Sequence, residues 1–163
     1  MTDYISIIEE IIKEHQVIRG YVKLVGESTS DREAMLSIKS VSSEWAHDGE
    51  EVLSQMLGRL KQTVYALNEG LKNHFAKEEK YLPPVLGELL MRALLRTHDQ
   101  IRAVLKQVGE LVSDTRLEGL SPDELKAREL AVKQMINNLT DLIDSHADKE
   151  EQLLGLVMDA LRA

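Results

Sequence analysis

The sequence predicts an all-α fold: an antiparallel up-down-up-down four-helix bundle with an extra short helix between helices 1 and 2. Three observations predict it. Apolar residues return every three or four positions along almost the whole chain. Only three prolines and nine glycines interrupt its 163 residues. Leu, Glu, Ala and Lys, all good helix formers, are among the commonest residues. The length suits a single domain over 1–163 with a sizeable core.

The first stripe runs Ile5, Ile8, Ile11/Ile12, His15, Ile18, Val22, Val25. It is expected to end at Gly26, with a loop at Ser28-Thr29-Ser30. Ser30-x-x-Glu33 then reads as a capping box that opens the short extra helix, with Met35, Ile38, Val41 and Trp45 on one face. Ala46-His47-Asp48-Gly49 is expected to interrupt it, and Asp48-x-x-Glu51 to cap the next helix. The second stripe carries Leu53, Met56/Leu57, Leu60, Val64, Leu67, Leu71, His74, Glu78 and Leu82, and Pro83-Pro84 stops it. The third carries Leu90, Leu94, His98, Ile101, Leu105, Val108 and Val112, followed by a loop over 114–120. Ser121-Pro122-Asp123-Glu124 combines a cap, a first-turn proline and a glutamate three after the cap. It starts the fourth stripe, Leu125, Val132, Met135/Ile136, Leu139, Leu142/Ile143, His146, Glu150, Leu153/Leu154 and Val157. Short connections between long helices give antiparallel neighbours.

Composition narrows the chemistry. With 43% hydrophobic and 29% charged residues the chain resembles an ordinary soluble globular protein. It has no cysteine. That excludes disulfides, thiol catalysis, zinc–thiolate sites and cysteine-bound iron–sulfur clusters. A net charge of −8 opposes nucleic acid and anionic membrane surfaces as partners. No apolar stretch approaches the roughly 20 residues that span a bilayer. Met1-Thr2-Asp3 has no basic region before an apolar run, so a cytoplasmic location is expected.

The motifs come in pairs. His74-x-x-x-Glu78-Glu79 recurs as His146-x-x-x-Glu150-Glu151, and His15-x-x-Ile18-Arg19 recurs as His98-x-x-Ile101-Arg102. All four histidines, with Glu78 and Glu150, lie on apolar stripes. Positions four apart share a helix face, so His74 and Glu78 point one way, as do His146 and Glu150. A carboxylate in a dry core costs several kcal/mol unless it is paired or binds a metal. Two neighbouring carboxylates repel one another, and a pair of cations removes the repulsion. One inward histidine is more often a packed core residue than a ligand. Four, two of them followed by an inward carboxylate, point instead to two metal ions bridged by the glutamates. Mixed imidazole and carboxylate donors suit iron, ahead of manganese or zinc. A plain helical scaffold with satisfied core histidines is the competing reading.

The remaining polar residues carry less. Glu79 and Glu151 are rotated away from their histidines and are expected on solvated faces or as partners behind the ligands. Tyr21 and Tyr81 are expected as half-buried packing, and Asp144 and Thr97 as candidate outer hydrogen-bonding groups. His47 is expected at the surface or as a cap. Glu44-x-x-His47 has a spacing used by ferritin-type bundles, but it occurs once where such a site needs two.

The order His15, His74-x-x-x-Glu78, His98, His146-x-x-x-Glu150 resembles the hemerythrin-like family, the HHE cation-binding domains. The resemblance spans His15 to Glu150. It implies a four-helix bundle holding an oxo- or hydroxo-bridged non-haem di-iron centre. His15, His74, Glu78, His98, His146 and Glu150 are its implied ligands. Oxygen carriers of the family have a fifth histidine four after the third-helix histidine, where this chain has Arg102. They also place an aspartate five after the last histidine, where this chain has Glu151. The four-His, two-Glu set is similar to the di-iron proteins that repair iron–sulfur centres, although the cysteine-containing segment many of those carry is missing. The implied partner is dioxygen, nitric oxide or peroxide, in an oxidative or nitrosative stress response. An iron- or oxygen-responsive interaction module without turnover is the alternative. Whether turnover occurs stays open, as does pairing with a second copy of the chain.

Overall fold

The computed structural model describes residues 3–39, 45–114 and 119–163, with side chains for 3–21, 54–55, 57–113 and 119–163. Four helices follow in chain order: α1 (Tyr4–Lys39), α2 (Trp45–Tyr81), α3 (Pro83–Asp114) and α4 (Pro122–Arg162). The architecture is an all-α four-helix bundle. α1 lies beside α2 and α4, and α3 lies beside the same two, so α1 and α3 face each other across the bundle. Neighbours run antiparallel. Lys77, near the end of α2, meets Glu10 near the start of α1, and Arg162 at the end of α4 meets Glu9.

The boundaries differ from the sequence expectation on one side of the bundle. α1 does not stop at Gly26 but continues through Ser28-Thr29-Ser30 to Lys39. The expected short helix is therefore not a separate element: 31–39 extend α1, and Trp45 begins α2. The physical reason is propensity. An interior glycine costs about 1 kcal/mol and serine or threonine less, which Asp31–Lys39, rich in good formers, can offset. Ser30 is consequently not a helix cap, and Asp48 lies within α2 rather than at its start. The side chains of Met35, Ile38, Trp45 and His47 lie outside the described residues, as do Val41 and Glu44.

The other boundaries follow local chemistry. Pro83 and Pro84 have no N–H to continue α2, and Val85 and Leu86 turn back onto the Leu82 carbonyl at 3.0 and 2.9 Å. Gly87, at φ 77°, breaks α3 there before its long run begins. Ser121 caps α4, its hydroxyl accepting from the Glu124 N–H at 3.2 Å, with Pro122 in the first turn.

Two apolar clusters fill the bundle. The larger joins Ile18, Leu60, Leu67, Leu71, Phe75, Ile101, Leu105, Leu125, Ile136, Leu139 and Ile143, among others. The smaller joins Ile8, Ile11, Leu82, Leu86, Met91, Leu94 and Leu154. Leu90, expected on the third stripe, is exposed, and Met91 takes the inward place. Between the clusters lies a layer of buried polar residues: His15, His74, Glu78, His98, His146 and Glu150.

Candidate metal centre

Helical periodicity builds this layer. His15 follows Ile11 by one turn and precedes Ile18, so it inherits their inward face. His98 stands likewise between Leu94 and Ile101, and His146 follows Ile143. Each helix thus contributes one imidazole at the same level, and α2 and α4 each add a carboxylate one turn further on.

The donor atoms form two sets that share the glutamates. His15, His74, Glu78 and Glu150 offer atoms all within 4.8 Å of one another, and so do His98, His146, Glu78 and Glu150. Glu78 Oε1 lies 2.5 Å from His74 Nε2 and 3.5 Å from His15 Nε2, while its Oε2 lies 2.8 Å from His98 Nε2. Glu150 Oε1 lies 3.2 Å from His15 Nε2, and its Oε2 lies 3.0 Å from His146 Nε2. Each carboxylate therefore turns one oxygen to each pair of histidines. The two histidines of each helical hairpin thus fall in one set of donor atoms, a grouping the sequence left open.

In a neutral imidazole with its proton on Nδ1, Nε2 has nothing to donate, and these approaches are not hydrogen bonds. The Nε2 atoms of all four histidines and both oxygens of both glutamates are buried without a hydrogen-bond partner. Unsatisfied buried polar atoms cost about 1–3 kcal/mol each, and native proteins hold few. Eight of them turned toward shared points is the signature of donors placed for cations. Separations of about 3 Å match the edge of a coordination polyhedron whose bonds are about 2.1 Å. The donor set fits a pair of metal ions.

The Nδ1 atoms face outward, and three of them meet glutamates. His15 Nδ1 lies 3.0 Å from Glu151 Oε1, which Arg19 Nη1 also contacts at 3.1 Å. His98 Nδ1 lies 3.0 Å from Glu79 Oε1, which Arg102 Nη2 contacts at 2.8 Å. His74 Nδ1 lies 2.8 Å from Glu14, whose other oxygen holds Lys77. A carboxylate at Nδ1 requires the imidazole proton there and leaves the Nε2 lone pair free for a metal. This explains the doubled motifs. In each His-x-x-x-Glu-Glu run the first glutamate reaches into the layer. The second grips the histidine and arginine of His-x-x-Ile-Arg on a neighbouring helix.

Electrostatics follow the same lines. Burial opposes a proton on His15, but Glu150 and Glu78 outweigh it and raise its pKa to about 10. Burial likewise lowers the His74 value, and Glu78 and Glu14 more than reverse that. Glu78 would be pushed up by burial, yet Glu150, His15, His74 and His98 hold it well below the ordinary range. Glu14 and Glu79 also lie low despite partial burial, through Lys77 and His74 in one case and His98 and Arg102 in the other. Metal binding at His15 and His74 would therefore displace protons.

Sequence reasoning placed all six inward residues in this layer. It left Glu79 and Glu151 between a solvated face and a partner role, and the latter holds. It did not single out Glu14, Lys77 or Phe75, nor assign a task to Arg19 and Arg102. The arginine four residues after each first-motif histidine was the available signal. Phe75 stacks on His98 with centroids 3.9 Å apart and meets His146 edge-on at 5.8 Å. Tyr21 packs against the larger cluster, and Tyr81 carries Lys80 over its ring. Thr97 donates to the Ala93 carbonyl, and Asp144 lies 4.0 Å from Arg19. No described helix is long and apolar enough to cross a membrane.

Residues 6–157 match the family model described as the hemerythrin HHE cation binding domain. No curated protein and no solved structure matches the chain.

Proposed function

This chain belongs to the hemerythrin family of HHE cation-binding domains, and we propose that it holds a non-haem di-iron centre that binds or reacts with dioxygen, nitric oxide or peroxide. The observation that carries the reading is the division of each glutamate, one oxygen toward His15 and His74 and the other toward His98 and His146. His15 and His74 would hold one ion, His98 and His146 the other, with Glu78 and Glu150 spanning both. Two irons there would supply one-electron redox steps and open positions for a small ligand.

The protein's own contribution is orientation, charge and dryness. Glu151, Glu79 and Glu14 keep the protons of His15, His98 and His74 on Nδ1, so each Nε2 lone pair faces inward. Arg19, Arg102 and Lys77 neutralise those outer carboxylates and hold them in place. The two apolar clusters flank the layer on both sides. A stress-response role follows from this chemistry as part of the proposal.

Metal analysis of the purified protein tests it, with spectra before and after dithionite, nitric oxide and peroxide. Close to two irons per chain, and spectra that respond to at least one reagent, are expected. A protein that takes up no iron, or one whose spectrum ignores all three, overturns the reading.

A further inference from the structure

The two halves of the layer share their histidines, glutamates and arginines, and differ in the carboxylates that stand behind the histidines. Glu14 precedes His15, and in the repeat Thr97 precedes His98. Glu14 reaches across its hairpin to His74 Nδ1 at 2.8 Å and is held by Lys77. The counterpart of that contact would run from position 97 to His146. Thr97 instead donates to the Ala93 carbonyl of its own helix at 3.2 Å, and Lys149, the counterpart of Lys77, is exposed. Among the described residues no carboxylate meets His146 Nδ1. His146 is also the most exposed of the four histidines, at 7% against 0–3% for the others. The imidazoles of one half, His15 and His74, both carry a carboxylate behind them; in the other half only His98 does.

We propose that Glu14 and Thr97 make the two metal positions unequal: the ion between His15 and His74 is bound first and kept longest, and the ion between His98 and His146 is the exchangeable one. This rests on the di-iron reading above. A carboxylate at Nδ1 makes the imidazole a stronger donor and fixes its ring, and loss of such a partner lowers metal affinity by about 10–100-fold. Among the described residues only one of the layer's four histidines lacks that support, so the deficit falls on a single position. Glu14 acts here as a positioning residue, working through His74.

Release of iron from the full-length ferrous protein to ferrozine, without oxygen, tests the proposal. The wild type should lose its two irons in two phases of equal size, separated by about tenfold or more. In crystals stopped after the fast phase, the anomalous signal should lie between His15 and His74. Glu14→Gln should speed the slow phase by about 10–100-fold and leave the fast one in place. Thr97→Glu should slow the fast phase. A single phase in the wild type overturns the inequality, as does residual iron between His98 and His146. So does a Glu14→Gln variant that speeds both phases equally. Each of these leaves the di-iron reading standing, whereas a protein that binds no iron in the layer removes both.

Discussion

The polar layer has unequal neighbours. On one side the larger cluster draws on all four helices over many turns, from Ile18 and Leu57–Phe75 to Ile101–Val112 and Leu125–Ile143. On the other, Ile8, Ile11, Leu82, Leu86, Met91, Leu94 and Leu154 form a short plug beneath the Pro83–Gly87 turn. Among the described residues the larger cluster buries sixteen apolar side chains and the smaller seven, so the larger removes more apolar surface from water. With less apolar surface to hold its helix ends, the smaller one is expected to gain more from the layer. Cations that satisfy eight orphaned donors would therefore stabilise the two ends unequally, and mostly the short one.

The largest effect expected is from Glu78→Ala. It removes the carboxylate that contacts three histidines, and iron content should fall below one per chain. Hydrogen exchange at Ile8–Ile11 and Leu154 should rise to the level of the metal-free wild type, with little change around Leu139. Equal loss of protection at both ends would show that the clusters do not differ as described.

Core truncation comes next. Leu139→Ala in the larger cluster and Leu154→Ala in the smaller should each cost about 2–5 kcal/mol, both side chains being almost fully buried. Leu139→Ala should lower the melting temperature of loaded and metal-free protein alike, by about 4–20 °C. Leu154→Ala should in addition accelerate iron release, which Leu139→Ala should not. Matching release rates would remove the special link between the layer and the short end.

A smaller effect is expected behind the ligands. Glu151→Gln leaves Arg19 in place but weakens the hold on His15 Nδ1, and should reduce iron affinity by about 10–100-fold, read by chelator competition. Wild-type affinity would mean that Glu151 serves only to pair with Arg19.

The smallest concerns pH in the metal-free protein. His15 is raised to about 10 because Glu150 and Glu78 outweigh the opposing effect of burial. Its pairing therefore stabilises the fold fully below about pH 6.5 and is lost as pH rises through about 10. Glu78 runs the other way, its contribution present above pH 4.5 and lost as pH falls through its lowered value. Raising pH from 7 to 10 should cost the metal-free protein a few degrees in melting temperature, first at the Ile8–Ile11 end. Thermal scans that are flat across this interval would count against the pairing.

Much of this was readable from residue order. Burial of His15, His74, Glu78, His98, His146 and Glu150 followed from their places on apolar stripes, because helical period ties direction to spacing. The end of α1 was not readable. Gly26 and Ser28–Ser30 look like a stop, but each costs only about 1 kcal/mol or less, and no proline forbids the helix there. Partners across helices were also hidden. Spacing within one helix says which way Glu79 turns, not that Arg102 and His98 of α3 wait beside it. Nor does it say which histidines turn toward the same carboxylate oxygen. The repeated arginine hinted at a common task, and only the packing of α1 on α4 and of α2 on α3 reveals it.

That packing bears on how such a bundle could arise. Glu151 of α4 serves α1, and Glu79 of α2 serves α3, so each hairpin completes the other and neither is self-sufficient. One hairpin carrying His, Arg, His and paired glutamates, associated with its own duplicate about a two-fold axis, would reproduce both of these crossed grips. Fusion of two such copies leaves the grips intact and frees single positions, such as 14 and 97, to diverge.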